Sequence, residues 1–449
     1  ALQNVPRDDA MLLVPFKKAP PVDLVQPVTF YVEANYSPED AQTFKADIQS
    51  LQSLRNNAVG ATSTKDQMAK TALLRYHAQL ALMDGRLPIN DSFSSTIQVN
   101  FTWNDAFRPT KNAVMCNANL ERAGVLYNLG AIVSASAAAT ERTSDDGLKL
   151  ACKQFQEAAG IFAHIQEKVV ANLPGTITPD LSEQGLGMIK SLMLAQAQAC
   201  FYEKAIRTRA ETKMKEGVIA RLAAQAAEFY SATLNHARST AIAENLDSSW
   251  PSHIEFQKIC FEAAAQYWQS LAVKAAAETR GVGYGEEIAR LQAAEALCAK
   301  ALELEHLLTG TVAQTAQNLK AMIARRKGPA MDDNRMVYLE AVPPIESLTP
   351  VGKAALVKAI EPAFGASDAK PLFNGLLPRF VMQEVEVHKA SLQSLIDACE
   401  SDTKLANAAA RQALAEKGLP GSIAAHEATD GFPESVWAKV RLPTLPRVC

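Results

Sequence analysis

The residues able to do chemistry are few and scattered. Seven histidines (His77, His164, His236, His253, His306, His388, His426) and seven cysteines (Cys116, Cys152, Cys200, Cys260, Cys298, Cys399, Cys449) are the candidate metal ligands and nucleophiles. A zinc site of the common kinds needs such residues a few positions apart, so that one turn or one helix face presents both. No two of these cysteines lie within three residues of each other, and no histidine stands three or four residues from another His or Cys. Gly281-x-Gly283-x-Gly285 stands before a helical pattern, as a phosphate loop would. No strand pattern precedes it and no Lys-Ser/Thr follows, so a glycine turn between two helices explains it better. Nucleophile-elbow and kinase signatures are absent. The acid pairs Asp145-Asp146 and Glu286-Glu287 open helical patterns, where the helix dipole favours negative charge. The expectation is a chain that is not an enzyme, with no metal site and no cofactor.

The composition is that of an ordinary globular protein. Of 449 residues, 48% are hydrophobic and 21% charged, enough apolar side chain for a large core. The length suits about three domains or one elongated helical solenoid. A net charge of −3 gives no reason to expect a nucleic-acid partner. Scarce cysteine, mostly inside Ala-rich helical stretches, suits a reducing compartment. No signal-like segment opens the sequence, and the start at Ala1 reads as that of a processed or trimmed chain. Residues Ala123 to Thr140 carry no charge, but their glycines, alanines and polar residues suit a buried central helix better than a membrane span.

The elements are readable in order. Met11 to Phe16 reads as an edge strand. Ser37-Pro38-Glu39-Asp40 is a helix start, and the helix it opens places Phe44, Ile48 and Leu51 on one face. A second helix carries Leu73, Tyr76, Leu80 and Met83. Ile97, Val99, Phe101 and Trp103 alternate with polar residues as a half-buried strand. Residues 113 to 330 read as helices that combine alanines with aromatics, an irregular tetratricopeptide-like stack. Loops fall at Pro174-Gly175 with Pro179, at Ser248 to Pro251, and at Gly281 to Gly285. Prolines at 329, 343, 344, 350, 362 and 371 predict an extended arm over residues 328 to 372. A last helical segment is expected from about Leu372, through Val385, Leu392, Leu395 and Ile396, then Leu405 to Leu414.

Several stretches together resemble one family. They are Lys17-Lys18-x-x-Pro21-Val22-Asp23-Leu24, Leu73-Leu74-Arg75-Tyr76, Phe101-x-Trp103-x-Asp105-Ala106-Phe107 and Leu194-Ala195-Gln196-Ala197-Gln198. Tyr284-Gly285-Glu286-Glu287-Ile288-Ala289-Arg290-Leu291 and Pro350-Val351-Gly352-Lys353 complete the set. Their order and spacing resemble the Bro-type domain of the Alix family over residues 11–370. Leu372-Phe373-x-x-Leu376-Leu377-Pro378 and Phe432-Pro433-x-Ser435 resemble the start of the family's next, V-shaped helical domain, which would occupy residues 371–449 as a partial segment and tail.

The resemblance implies a mainly α, elongated and curved (banana-shaped) domain with a tetratricopeptide-like helical core and a small N-terminal β-sheet. It implies an adaptor of endosomal sorting, multivesicular body formation or membrane scission. Such a protein is cytoplasmic and recruited peripherally to endosomes through its partners. The implied ligand is the C-terminal amphipathic helix of an ESCRT-III core subunit, held on a concave groove. The matching apolar positions are Phe201, Val218 and Leu222, the last two one turn apart. A polar flank falls on Asp145, Lys149 and Lys153, which could fix the partner's register. Three extra residues between Phe201 and Val218, around Arg207 to Thr212, depart from the family pattern. Tyr338 matches a tyrosine phosphorylated in animal relatives. A related alternative is a scaffold of the fungal pH-response type that recruits a protease or another partner.

Overall fold

The computed structural model describes residues 11–60, 67–83, 85–90, 96–308, 313–364, 371–419, 421 and 423, and divides into two units between Leu376 and Leu377. The first unit begins with an extended segment. Residues 12 to 19 lie in no strand. Side chains meet much of their backbone: Leu12 N–H donates to Gln196 Oε1 at 2.7 Å, and Lys17 N–H donates to Asn128 Oδ1 at 2.8 Å while Asn128 Nδ2 returns a bond to Lys17 O; one backbone bond, from Asn104 N–H to Lys18 O, reaches the end of the strand that follows. The expected edge strand is therefore corrected to an extended strap held by buried amides, which supply what a neighbouring strand would have supplied.

Helices α1 (Val25–Asn35), α2 (Pro38–Thr43), α3 (Lys45–Gly60) and α4 (Gln67–Met83) come next. Ser37 caps α2, its Oγ accepting the Asp40 N–H at 3.0 Å, as the Ser-Pro-x-Asp signature predicts. Strands β1 (Phe101–Asn104) and β2 (Asn112–Met115) pair antiparallel, Phe101 opposite Met115 and Asn104 opposite Asn112. Val99, Phe101 and Trp103 all face the core, so the alternating pattern is borne out although the strand is shorter than its buried stripe.

The stack consists of α5 (Ala118–Ala139), α6 (Asp145–His164), α7 (Glu183–Arg207), the short α8 (Arg209–Thr212), α9 (Glu216–Ala237), the short α10 (Thr240–Ala243), α11 (Ser249–Arg280), α12 (Tyr284–Glu303) and α13 (Ala313–Asp333). The uncharged stretch forms α5, buried along most of its length at the centre of the unit, and no described helix is long and apolar enough to cross a membrane. The Gly281–Gly285 run is a helix–helix turn. Gly281 closes α11 at φ 78° and Gly283 precedes α12 at φ 115°, both left-handed. Pro329 lies inside α13, so the arm starts later than its prolines suggested, after Leu339 (φ 53°).

Two buried charge networks tie the N-terminal elements to the stack. Lys17 Nζ meets Asp180 Oδ2 at 2.6 Å with both side chains fully buried, and the same oxygen accepts Ala106 N–H at 2.7 Å. Arg55 pairs with Glu121 at 2.8 Å, and Glu121 also accepts from Trp103 Nε1 at 2.7 Å and Tyr76 Oη at 3.1 Å. Burial lowers the Lys17 pKa, opposed by the neighbouring Asp180 carboxylate.

The first unit extends past the expected boundary at 370. Leu372 N–H donates to Gln79, Phe373 N–H to Asp47, and Arg86 to Leu376 O, with Phe373 and Leu376 buried. Beyond it, α14 (Arg379–Glu416) is one continuous 38-residue helix, joining the two segments read from sequence. Phe432-Pro433-x-Ser435 lies outside the described residues.

Candidate functional site

The arm sets the geometry of the candidate surface. Its backbone is caught by successive helices. Arg290 of α12 donates to Thr349 O at 3.1 Å, Ala354 N–H donates to Arg221 O of α9 at 3.1 Å, and Gln198 of α7 donates to Ala354 O at 3.1 Å. Gln156 of α6 accepts Lys358 N–H on its side chain and Ile360 N–H on its carbonyl. At Gly160 the arm comes so close that a Cβ would stand 1.7 Å from Ile360 O, which only glycine permits.

The end of the arm is plugged by Phe364, whose ring lies 4.9 Å from His77 and 4.7 Å from His164. Burial, with help from Arg122 and His164, pushes the His77 pKa down from 6.5 to about 3. An unfolded chain therefore binds a proton at His77 that the folded one refuses. Stability falls as pH drops from about 6.5 towards 3, by about 2 kcal/mol at pH 5 from this group. We expect His77→Phe to flatten that part of the acid dependence in urea melts between pH 7.5 and 5. An unchanged slope would contradict the account.

Gln198 Nε2 also donates to Leu222 O at 3.2 Å, which sets position 198 of α7 level with position 222 of α9. Neighbouring helices run antiparallel, so one turn away Phe201 is level with Val218. Towards α6, Arg207 Nη2 reaches Arg142 O at 2.8 Å and Lys190 reaches Gln166 at 3.1 Å, which brings Lys149 and Lys153 alongside Phe201. These registers put Phe201, Val218, Lys149 and Lys153 at similar heights on α7, α9 and α6, about a turn away from the arm. Phe201 is half-buried and Val218 is 38% exposed.

Leu222 is different. Its side chain is 0% exposed, so it cannot serve as a surface anchor. Leu222 stands one turn from Val218, but its side chain turns inward. Asp145 is half-buried, while Lys149 pairs with Asp146 at 3.1 Å and Lys153 with Glu157 at 3.6 Å. These exposed pairs contribute little and exchange easily for a ligand's charges.

One surface residue escaped the sequence reading. Val357 of the arm turns inward, so Leu356 turns out, 56% exposed, between the anchors on α7 and α6. No local pattern marks it, because an extended arm alternates faces only once its contacts are known. Tyr338 lies elsewhere, on the turn Asn334–Tyr338, its ring stacked 3.5 Å from Tyr284. It is 39% exposed.

The two thiols near this surface are not activated. Cys152 beside it is pushed up to about 11 by burial, and burial also raises Cys200, so neither thiol forms thiolate readily. No group of metal-ligating residues occurs among the described residues. The buried charges Lys17, Asp180, Arg55 and Glu121 serve contacts within the chain.

Fold and patch together define a class: a helical stack, strapped by its own extended arm, with partly apolar, lysine-flanked positions on α6, α7 and α9. The chain belongs to the BRO1-like domain family, whose model matches residues 11–396. It is 32% identical over 443 residues to the pH-response regulator protein palA/RIM20 of Emericella nidulans, covering 95% of this chain and 50% of that protein. It is 30% identical over 439 residues to human programmed cell death 6-interacting protein, covering 95% and 48%. The chain thus spans about half the length of these curated relatives. Among solved structures, ALIX in complex with a SIVmac239 late domain aligns at TM-score 0.81 and 30% identity, covering 96% of this chain and 60% of that one. An ALIX BRO1 CHMP4C complex aligns at TM-score 0.70 and 30% identity, covering 82% and 99%.

Proposed function

We propose that this chain is a non-enzymatic adaptor that docks the C-terminal amphipathic helix of an ESCRT-III core subunit on the band formed by Phe201, Val218 and the arm's Leu356, with Lys149, Lys153 and Asp145 as its polar flank. Leu222 supports the band from behind. The observation that carries the reading is the solved complex of an ALIX BRO1 domain with CHMP4C, at 30% identity over 82% of this chain. The band's chemistry fits such a ligand, because an amphipathic helix presents apolar side chains at i, i+3 and i+4 to a shallow groove and charges at its edges. In this reading the protein is cytoplasmic and reaches endosomal membranes through its partners, and it acts by recruitment in endosomal sorting.

Three partly exposed anchors contribute at most about 1.5–3 kcal/mol each, and ordering the partner helix offsets much of that. Affinity is therefore expected in the micromolar range, about −8 kcal/mol at most. Anisotropy titration of a labelled ESCRT-III C-terminal peptide checks this, and an absence of binding at several hundred micromolar contradicts it.

A second reading has its own observation. The 32% identity to palA/RIM20 favours a scaffold of the pH-response type that recruits a protease or another partner. Such a chain would use the same band, and a pulldown that yields a protease instead of an ESCRT-III subunit would favour it.

A further inference from the structure

We propose that Arg209 is a positioning residue for the docking band, the centre of a staple that fixes Val218 relative to Phe201. The inference rests on the docking reading above.

Phe201 and Val218 belong to different helices, and the chain between them passes through α8 and a left-handed residue, Lys213 (φ 51°). A connection of that kind does not by itself hold two side chains in register. Behind the band, the structure closes a ring of contacts. Tyr202, next to Phe201, accepts a hydrogen bond on its Oη from Trp268 Nε1 at 2.9 Å. Arg209 lies over the same indole, its guanidinium carbon 5.3 Å from the ring centroid. The guanidinium also pairs with Glu216, the first residue of α9. Val218 lies two residues further on.

Each link suits arginine. A planar guanidinium can stack on an indole and present its edge to a carboxylate at the same time, whereas an ammonium does only the second well. Glu216 is also favoured at a helix N-terminus, so the pair holds the first turn of α9 where that turn would fray. Trp268 is nearly buried and Tyr202 half-buried, so the far end of the staple is rigid. The consequence concerns binding more than folding. The residues of the staple that touch solvent, Arg209 and Glu216, contribute little to global stability. They decide whether Val218 stands level with Phe201 when a ligand helix arrives, a preorganisation effect.

The test uses the full chain and a labelled peptide carrying the C-terminal helix of an ESCRT-III core subunit. Arg209→Ala is expected to weaken binding about tenfold with little change in Tm, and to speed amide exchange at residues 215 to 220. Arg209→Lys should recover only part of the loss. Arg209→Ala and Val218→Ala should be non-additive in a double-mutant cycle, as expected if the first acts through the second. Wild-type affinity and exchange in Arg209→Ala, together with loss of binding in Val218→Asp, overturn the staple and leave the docking reading standing. Failure of the wild type to bind, or unchanged binding in Val218→Asp, overturns both.

Discussion

Leu222→Asp is expected to damage the fold, not to silence a surface. The substitution removes a fully buried leucine, worth about 2 kcal/mol of burial, and places a carboxylate where solvent does not reach. An unpaired buried charge costs several kcal/mol more or forces protonation. A loss of about 4 kcal/mol or more is a large share of a typical domain's 5–15 kcal/mol. Urea denaturation followed by circular dichroism measures it. A well-folded Leu222→Asp within about 1 kcal/mol of wild type would show that the side chain can turn out to solvent, and would restore Leu222 as an anchor. Loss of binding in this variant therefore says nothing about the band unless stability is measured beside it.

The second large effect is at Lys17. Lys17→Met keeps much of the side chain's volume but strips Asp180 of its cation inside the core, where Asp105 adds further negative charge. Breaking a buried ion pair from one side costs about 3–5 kcal/mol, because the remaining charge is left without compensation. Removing both partners, as in Lys17→Met with Asp180→Asn, should recover a substantial part of the loss, since the amide oxygen introduced at position 180 could still accept the Ala106 N–H. Equal destabilisation of single and double variants would contradict the electrostatic account. The location matters for function because Lys17 and Asp180 tie the N-terminal strap to α5 and to the turn before α7, and α7 carries Phe201.

Much of this was legible in the sequence, for reasons visible at particular residues. The Ala-rich segments with one or two aromatics each became helices of the stack, because 3.6-residue periodicity survives whatever the helices pack against. Ser37 and Asp40 announced a cap, and Gly281 and Gly283 a turn, because those geometries depend on one or two local side chains. The misreadings have the opposite cause. Met11–Phe16 looked like a strand, since an extended apolar run is the same whether its amides meet another strand or the side chains of Gln196 and Asn128 more than a hundred residues away. Pro329 looked like a helix end but is tolerated within α13.

At the site, Phe201, Val218, Lys149 and Lys153 came from the family resemblance; i, i+4 arithmetic adds only that Val218 and Leu222, like Lys149 and Lys153, stand one turn apart on a helix. It did not fix which of them turns outward. Leu222 is therefore inside, and Leu356, supplied by a segment far along the chain, completes the band unannounced. Arg209 was visible only as part of extra residues before α9. Its roles towards Trp268 and Glu216 depend on contacts that no local pattern encodes.

We propose the band around Phe201 and Val218 as the place where the helix of an ESCRT-III core protein docks. Val218→Asp tests it most directly, because Val218 is 38% exposed and its replacement should change stability by about 0.5 kcal/mol or less. In an anisotropy titration with the labelled C-terminal helix peptide, the account predicts micromolar binding by the wild type and at least a fiftyfold loss in Val218→Asp, with superimposable thermal melts. Wild-type affinity in a fully folded Val218→Asp would contradict it.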